Sequence, residues 1–335
     1  MIEFTANDVI DIVLGNDMIQ SDSTVMTELR ELQTLDVSDE AKLTELQTVL
    51  EKHGYSDNEF TQQLRRDIQS YTENNRRDIF TSQIVSLDVS DGDITPSETG
   101  SVPGVPVNQF SFDEHDGELR VATTVTPRNT QESKNDVYVL NNALEITGSV
   151  QGMAEGQRIY GVRFMGDTGY VITYRQVDPL HVIDLRDSTN PEEVGTVKLP
   201  GFSEYLHQVG DGELLGVGES DGGNGKVVLF NVSDESDPRV SDSLVVDEWS
   251  TAVSESHHAF MTDSELNHAY VPAGDSLYVI DYSNRTVTRE AVIELKSSVK
   301  RTRMYNDEMV VFSDTEIKVI DKGTYNVGET VTLYD

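Results

Sequence analysis

A chain of 335 residues with 60 acidic and 25 basic side chains carries a formal net charge of −35 at neutral pH. Such a surface repels the phosphates of nucleic acids and of anionic membranes, so neither is expected as a partner. The sequence contains no cysteine, which excludes disulfides, thiolate metal sites and thiol catalysis.

The acidic residues are distributed along the whole chain, between apolar segments, and are not gathered in one tail. This distribution indicates a folded, strongly hydrated surface and not a disordered acidic segment. An even coat of carboxylates is tolerated where concentrated salt screens the repulsion between them. We therefore expect the protein to come from a halophile.

The chain begins with a short apolar segment, which is followed by a region of helical character. Residues 3–15, E-F-T-A-N-D-V-I-D-I-V-L-G, are predicted to form two β-strands. In residues 24–75 the apolar side chains recur at helical spacing, as in Leu43, Leu46, Leu50, Phe60, Leu64, Ile68 and Tyr71. Gly54 marks the end of one helix, and S-D-N-E at residues 56–59 is a capping box that opens the next. Residues 20–76 are therefore predicted to be a helical hairpin, whose apolar stripe either docks on the propeller of the same chain or recognises a partner.

From residue 79 onward the sequence repeats a short strand that closes with an acid or an amide. The closing residues are Asp88, Asn141, Asp184, Asn231, Asp281 and Asp321, at intervals of 40 to 53 residues. Periods of about 40–50 residues with several short strands in each are typical of propeller blades. Before most of these sites lies a hairpin with an acidic turn, such as F-M-G-D-T-G-Y-V-I-T-Y from Phe164. We interpret the repeated segment as the third strand of a blade and its closing residue as a turn former.

Counting the repeats predicts an all-β chain, a β-propeller of about six four-stranded blades with the α-helical hairpin inserted in the first blade. Five blades are expected to begin near Val107, Tyr160, Glu204, His257 and Arg301. The remaining blade is predicted to combine residues 3–15 with strands at 79–88 and 94–100. The propeller is thus expected to comprise residues 1–19 and 77–335.

Three stretches of the blade region resemble a known family. They are V-N-Q-F-S-F-D-E-H-D-G-E-L-R-V-A-T-T at 107–124, Y-G-V-R-F-M-G-D-T-G-Y-V-I-T-Y-R-Q-V-D-P-L-H-V-I-D-L at 160–185, and P-G-F-S-E-Y-L-H at 200–207. The helical stretch L-D-V-S-D-E-A-K-L-T-E-L-Q at 35–47 is similar to the helical insertion of the same family. The family comprises archaeal and bacterial secreted proteins with a C-terminal β-propeller domain distantly related to WD40 repeats. The resemblance implies a propeller that is typically exported or membrane-anchored.

The location of the protein is predicted from that resemblance as extracytoplasmic or at the cell surface. The N-terminus, M-I-E-F-T-A-N-D, lacks a basic segment followed by an apolar one, so no signal peptide is predicted in this chain and a cytoplasmic location stays open. The longest apolar runs are far shorter than the roughly 20 residues of a membrane helix, so no membrane span is expected in this chain. Members of the family are usually longer, with a leader and further strands upstream. The chain is therefore expected to be either a part of such a protein or a short form that closes with six blades.

Polar side chains at strand starts and in connecting loops are expected to gather at the funnel mouth of the propeller. The candidate binding residues are Gln109, Arg163, Arg175, Gln176, Asp178, His257 and Arg303. Three arginines from different blades suit one anion or carboxylate, because guanidinium groups bind such groups through paired hydrogen bonds. The alternative is that these arginines form salt bridges with the abundant acids between blades.

No catalytic residue, cofactor or metal site is predicted. The sequence contains no nucleophile elbow, phosphate-binding loop, dinucleotide fingerprint or H-E-x-x-H motif. His257 and His258 are adjacent, and neighbouring strand residues point to opposite faces, so packing or surface roles are expected for the histidines. The acids of D-E-H-D-G-E at 113–118 are interpreted as a hairpin turn and not as a calcium loop.

Two functions of different classes are compatible with the sequence. The favoured hypothesis is a non-enzymatic binding scaffold, outside the cytoplasm, that holds a protein or glycan partner through the funnel face or the helical hairpin. The alternative is a hydrolase or lyase with an arginine-lined funnel site for an anionic substrate, in which Arg163, Arg175 and His257 bind the substrate.

Overall fold

A computed structural model describes residues 5–125, 133–174, 178–199, 201–249 and 251–334. Its α-helices in this part of the chain are α1 Ala6–Gly15, α2 Asp17–Gln20, α3 Ser23–Gln33, α4 Asp39–Lys52, α5 Asn58–Asn74, α6 Arg76–Ile79 and α7 Ala252–Glu255. Short 3-10 helices occur at Gln109–Ser111, His257–Ala259 and Ser283–Arg285.

The strands form six antiparallel sheets in chain order, which we number blades 1 to 6. Blade 1 has two described strands, β1 Thr81–Ser90 and β2 Asp93–Pro103. Blades 2 and 3 comprise β3 Phe112–His115, β4 Glu118–Val125, β5 Lys134–Leu140, β6 Ile146–Met153, β7 Arg158–Met165, β8 Thr168–Tyr174, β9 Asp178–Asp184 and β10 Glu192–Leu199. Blade 4 comprises β11 Phe202–Gly210, β12 Glu213–Glu219, β13 Asn224–Asn231 and β14 Arg239–Trp249. Blade 5 comprises β15 Met261–Asp263, β16 His268–Ala273, β17 Ser276–Asp281 and β18 Thr288–Glu294, and blade 6 comprises β19 Val299–Tyr305, β20 Glu308–Ser313, β21 Glu316–Asp321 and β22 Val327–Thr332.

The predicted β-propeller of about six blades is confirmed. Each of blades 2 to 6 is a four-stranded meander in which consecutive strands pair antiparallel. Five apolar clusters lie between successive blades, each contributed by the facing sides of two sheets. A sheet that is apolar on both faces requires a neighbour on each side, so burial of these faces drives the stacking of the blades.

In blades 2 to 6 the closing residue of the repeat ends the third strand and forms the turn that follows, as predicted. Asp88 differs from the prediction, because it lies inside β1 and pairs with Thr95. Oδ1 of Asp184 accepts a hydrogen bond from the backbone N–H of Arg186 at 2.9 Å. The same contact to the residue two positions later is made by Asn141, Asn231, Asp281 and Asp321. These Asx turns fix where the third strand stops and the fourth begins.

Glycines on the fourth strands admit the turn of the next blade. A Cβ on Gly148 of β6 would lie 2.1 Å from the carbonyl oxygen of Ser188 in blade 3. A Cβ on Gly195 of β10 would lie 2.1 Å from the carbonyl oxygen of Glu235 in blade 4. The absence of a side chain at these two positions therefore sets how closely successive blades approach.

The prediction of strands in residues 3–15 is wrong for the described part, where α1 occupies Ala6–Gly15. The hydroxyl of Thr5 accepts from the N–H of Asp8, and the carboxylate of Asp8 accepts from the N–H of Thr5. This reciprocal capping box starts a helix, and the apolar residues after it lie on one helical face. Blade 1 therefore receives its described strands from residues 81–103 alone, and the helices precede them in the chain.

The helical region contains more than the predicted hairpin. Helices α1 to α5 share an apolar core of Ile10, Val13, Ile19, Val25, Leu29, Leu32, Leu46, Val49, Leu50 and Phe60. Leu46, Leu50 and Phe60 of the predicted stripe thus pack in a core formed by helices. Helix α5 starts close to the predicted place, but the cap differs from the predicted S-D-N-E box: Asp57, and not Ser56, is the N-cap, and it accepts from the N–H of Phe60.

A buried ion pair joins the helices to blade 2. The guanidinium of Arg77 in α6 donates to both oxygens of Asp136 in β5, at 2.7 and 2.9 Å. The Asp136 side chain has no exposed surface, and it also accepts from the Tyr138 hydroxyl and the Gly152 N–H. Burial of the Tyr138 ring and its contact with this carboxylate raise the pKa of the phenol, which keeps it a hydrogen-bond donor.

Candidate functional site

Two 3-10 helices from distant blades meet at the centre of the propeller. Nε2 of Gln109, just before the first strand of blade 2, lies 3.1 Å from Nε2 of His257, just before the first strand of blade 5. The two residues are 148 positions apart in the chain, and blades 3 and 4 lie between them in order. Their hydrogen bond therefore spans the axis around which the blades are arranged.

Aromatic rings surround this hydrogen bond. The Phe110 ring contacts the His257 ring edge to face at a centroid distance of 4.9 Å, and the Tyr205 ring at 5.5 Å. The Tyr205 ring also stacks on the His257 ring at 6.2 Å and packs on Phe260 at 5.2 Å. Such offset and edge-to-face pairs are the favoured arrangements of aromatic side chains.

The rings form part of the wall of a cavity of about 490 Å³, which we call the axial pocket. Its wall comprises residues 107–110 before blade 2, Tyr160 of blade 3, Glu204 and Tyr205 of blade 4, and residues 253–257 before blade 5. A pocket of this volume, built from several rigid sheets, is of the size that holds a small molecule or one side chain of a partner.

Two β-bulges direct side chains into the axial pocket. Tyr160 is the extra residue between the pairs that Ile159 and Gly161 make with β8. Glu204 is the extra residue at the corresponding place in β11, between the paired residues Ser203 and Tyr205. A bulge leaves one residue outside the pairing and turns its side chain away from the regular alternation. Tyr160 and Glu204 therefore face the pocket as a consequence of backbone geometry.

Close packing between blades 3 and 4 holds the two bulges together. A Cβ on Gly161 would lie 3.0 Å from the carbonyl oxygen of Ser203 and 3.3 Å from that of Glu204. The Tyr160 ring packs against Phe202 of blade 4 at a centroid distance of 4.9 Å. The bulge residues thus sit side by side because a glycine allows the two strands to approach.

Glu204 is a partly buried carboxylate in the wall of the pocket. Its pKa is raised by burial, against the opposing effect of a hydrogen bond from Ser254, and the nearby charge of Glu219 raises it further. Oε2 of Glu204 is buried and has no hydrogen-bond partner among the described residues. An unpaired buried carboxylate oxygen destabilises the fold, so its position needs an explanation outside stability.

Burial disfavours the protonated form of two histidines in this region, His207 and His257. Burial lowers the pKa of His257, and the charges of His258, Arg163 and Arg301 lower it further. Burial also lowers the pKa of His207, whose Nδ1 lies 3.1 Å from the Tyr205 hydroxyl. Because the Gln109 amide nitrogen can only donate, Nε2 of His257 accepts, and the ring carries its proton on Nδ1.

The structure brings together three of the predicted binding residues. Gln109 and His257 form the hydrogen bond across the axis, and the guanidinium of Arg163 lies 5.4 Å from the centre of the Phe110 ring. Arg303 is exposed on β19 and donates to the carbonyl oxygen of Thr302, so it is not joined to this group. Arg175 and Gln176 lie outside the described residues, as does the side chain of Asp178, the first residue of β9.

Sequence reasoning missed the residues that give the pocket its chemistry. These are Phe110, Tyr160, Glu204 and Tyr205. An aromatic residue close to the start of a first strand, as in Y-G-V-R-F at 160–164 and S-E-Y-L-H at 203–207, was the available signal. The bulge that orients Glu204 depends on the pairing of β11 with β12, so no pattern in the neighbouring sequence predicts it.

A second cavity, of about 1020 Å³, lies between blades 3 and 4. Arg163 lines it together with Arg186, Asp211, Asp234 and Glu235. Opposite charges alternate along this wall, and Arg186 pairs with Asp184 and Glu235. The Arg186–Glu235 pair joins blades 3 and 4, but it involves none of the candidate arginines, whose predicted salt bridges stay a prediction.

Within the described residues, no cluster of three or more His, Cys, Asp or Glu side chains could hold a metal ion. The hairpin of β3 and β4 turns at Asp116 and Gly117, both with positive φ, as the sequence predicts for D-E-H-D-G-E. Asp113 pairs instead with Arg120 at 2.7 Å. None of the helices in the described part of the chain is both long enough and apolar enough to cross a membrane.

The consecutive four-stranded sheets and the pocket on their common axis define the protein as a β-propeller. The chain belongs to the beta propeller domain family, whose sequence profile matches residues 11–325.

Relatives of the chain occur in two archaea. An uncharacterized protein of Archaeoglobus fulgidus is 35% identical over 311 residues, which is 91% of this chain and 48% of the relative. An uncharacterized protein of Methanocaldococcus jannaschii is 31% identical over 304 residues, which is 89% of this chain and 48% of the relative. The chain thus spans about half the length of the curated relatives it matches.

The fold is also similar to that of a solved structure, Sqt1 of Saccharomyces cerevisiae. The TM-score is 0.52 at 11% sequence identity, covering 75% of this chain and 68% of Sqt1. At this identity the similarity concerns the fold alone.

Proposed function

We propose that this propeller is a non-enzymatic binding scaffold that works outside the cytoplasm and holds a protein or glycan partner at the axial pocket. The observation that carries the proposal is the meeting of blades 2 and 5 through Gln109 and His257, which closes an aromatic-walled pocket on the axis. Aromatic rings and amide groups give contact area and hydrogen bonds at low cost in side-chain entropy, which favours binding sites.

The proposal is tested with the purified chain as bait. Wild-type protein, Tyr205→Ala and Gln109→Ala are cross-linked to an envelope fraction of the source organism in concentrated KCl, and the products are identified by mass spectrometry. Tyr305→Ala is the matched control, because Tyr305 is 69% exposed on blade 6 and does not line the pocket. We expect one partner to be recovered with wild type and Tyr305→Ala and lost with the two pocket variants. Equal recovery by all four proteins would place the binding surface elsewhere.

The location and the source environment are part of the same proposal. The resemblance to secreted propellers supports export, and the net charge of −35 supports a halophilic source. Fractionation of source cells, followed by detection with an antibody to this chain, tests export. Recovery of the chain in the cytosol would contradict export. Thermal unfolding at KCl concentrations from about 0.2 to about 3 M tests the halophilic source, because salt screens the repulsion between carboxylates. We expect the midpoint to rise with salt.

A second candidate function is the hydrolase or lyase with an arginine-lined site for an anion. The observation in its favour is that Arg163 lies over Phe110 and that its charge, with that of Arg301, lowers the pKa of His257. The test is turnover of a panel of phosphate and carboxylate esters by wild type and Arg163→Ala. Activity in wild type that Arg163→Ala loses while remaining folded would favour the enzyme.

A further inference from the structure

We propose that the axial pocket receives an organic cation, an ammonium or guanidinium group. This inference rests on the binding function proposed above and assigns the chemistry of its ligand. The cation is either a free small molecule or a basic side chain of a protein partner, since both present the same group to the pocket.

The walls of the pocket suit a cation. Phe110, Tyr160 and Tyr205 come from three different blades and line one cavity. Aromatic faces attract cations through the ring quadrupole, and several rings around one cavity are the usual site for ammonium groups. The Phe110 ring already takes part in such a contact, with the Arg163 guanidinium 5.4 Å from its centre.

The pocket also contains the countercharge. Glu204 lines it, and Oε2 of this carboxylate is buried without a hydrogen-bond partner among the described residues. Ser254 already donates to this carboxylate, but a buried oxygen such as Oε2 destabilises the folded state unless a donor or a positive charge pairs with it. A bulge in β11 places Glu204 here, and bulges are used to aim side chains at functional sites. A cationic ligand would supply the missing partner.

The surrounding charges favour a cation over an anion. Glu255 also lines the pocket, whereas burial lowers the pKa of His257 and disfavours a positive charge there. The net charge of −35 attracts cations to the whole molecule, and a concave site concentrates that field. The charges of Arg163 and Arg301 reach His257, but neither arginine lines the axial pocket.

The test compares a cation with an uncharged molecule of the same shape. Choline and its carbon analogue 3,3-dimethylbutanol are titrated into the chain at constant ionic strength, and the unfolding midpoint is recorded. A ligand that binds the native state raises the midpoint in proportion to the logarithm of its concentration above Kd. A third arm uses the peptide Gly-Gly-Lys-Gly-Gly, which carries the cation as a side chain. We expect choline or the lysine peptide to raise the midpoint and the neutral analogue to leave it unchanged.

The decisive variant is Glu204→Gln, which keeps the shape of the side chain and removes its charge. Because burial penalises the charge of Glu204, we expect the ligand-free midpoint to rise in this variant while affinity for the cation falls at least tenfold. Glu219→Gln is the matched control, since Glu219 lies near Glu204 without lining the pocket. A variant that lost stability instead would give Glu204 a structural role and overturn the inference, as would unchanged cation binding by Glu204→Gln.

The arms separate this inference from the binding function on which it rests. A response to choline alone assigns a small-molecule ligand, and a response to the peptide alone assigns a basic side chain of a protein. If neither cation shifts the midpoint, the inference fails. The binding function still stands in that case if Tyr205→Ala loses the cross-linked partner and Glu204→Gln retains it. If wild type captures no partner and binds no cation, both fail.

Discussion

Removal of the Asp136 carboxylate is expected to weaken the whole fold and to loosen the helices from the blades. Asp136 is fully buried and accepts four hydrogen bonds, two from Arg77 and one each from Tyr138 and Gly152. In Asp136→Ala all of these donors lose their partner, and the partly buried Arg77 guanidinium loses its counter-ion. Loss of one member of a buried ion pair costs about 3–5 kcal/mol.

This free energy corresponds to a measurable change in the unfolding temperature. At about 2.1 cal/mol/K per residue, cooperative unfolding of a chain of this length has an entropy of about 0.7 kcal/mol/K. A loss of about 3–5 kcal/mol therefore lowers the midpoint by about 4–7 °C. Asp136→Asn keeps the shape and two acceptor lone pairs, so its loss is expected to be about half as large.

Calorimetry and limited proteolysis together check this prediction. Calorimetry gives the midpoint, and proteolysis shows whether cleavage near residue 80 between helices and blades becomes faster in Asp136→Ala. Asp247→Ala is the control, because its pair with Arg289 is exposed and is expected to contribute about 0–1 kcal/mol. A midpoint for Asp136→Ala within 1 °C of the control, a difference of roughly the exposed-pair contribution, would refute the argument that this pair anchors the helices.

Three further changes test other parts of the structure. Gly161→Ala places a Cβ 3.0 Å from the carbonyl oxygen of Ser203, so calorimetry is expected to show a loss of about 1–3 kcal/mol as blades 3 and 4 separate, and no loss would contradict the close packing. Burial lowers the pKa of His257 in the folded chain, so the unfolded chain takes up a proton at higher pH than the folded chain does. The contribution of His257 to the free energy of unfolding is therefore complete above the unfolded pKa of about 6.5 and is lost as the pH falls through the folded pKa. In His257→Gln the free energy of unfolding is expected to depend less on pH in this range. The hydrogen bond with His181 is the largest cause of the lowered pKa of Glu193. The stability that Glu193 contributes is therefore complete above the unfolded pKa of about 4.3 and is lost at lower pH. If the acid unfolding of Glu193→Gln had the same pH dependence as that of wild type, this contribution would be contradicted.

The blades could be predicted from the sequence because their signals are local. The residue that closes each third strand bonds the N–H two positions later, as Asp184 does with Arg186. That contact depends on a few neighbouring residues, so it recurs visibly in the sequence at the blade period. The alternation of apolar residues around it then indicates which strands are buried.

The first helix was mistaken for strands although its start signal was present. The stretch V-I-D-I-V at 9–13 resembles the V-I-D strands of the blades. Thr5 and Asp8 form the capping box that starts α1, and the T-x-x-D spacing is visible in the sequence. Apolar residues at 9, 10, 13 and 14 also follow a helical period. The capping box therefore predicts the observed helix, whereas the similarity to the blade strands does not.

The pocket could not be predicted, because it depends on contacts between blades and on strand register. Gln109 and His257 are each predicted from the sequence as binding residues, but the hydrogen bond between them joins positions 148 residues apart. Glu204 faces the pocket only because β11 slips by one residue against β12. A shift of one residue reverses the face on which a side chain lies, and short strands give no sequence signal for it.

The same backbone feature carries different chemistry in successive blades. The first strands of blades 3, 4 and 6 each have a bulge near the start, at Tyr160, Glu204 and Lys300. Tyr160 and Glu204 line the axial pocket, whereas Lys300 is exposed and pairs with Asp314. The repeat therefore supplies a fixed position on the inner strand, and the side chain at that position decides what the blade contributes. Because an aromatic ring and a carboxylate at adjacent copies of this position form a site for a cation, exchanging the residue at one bulge is expected to change the ligand without changing the blade.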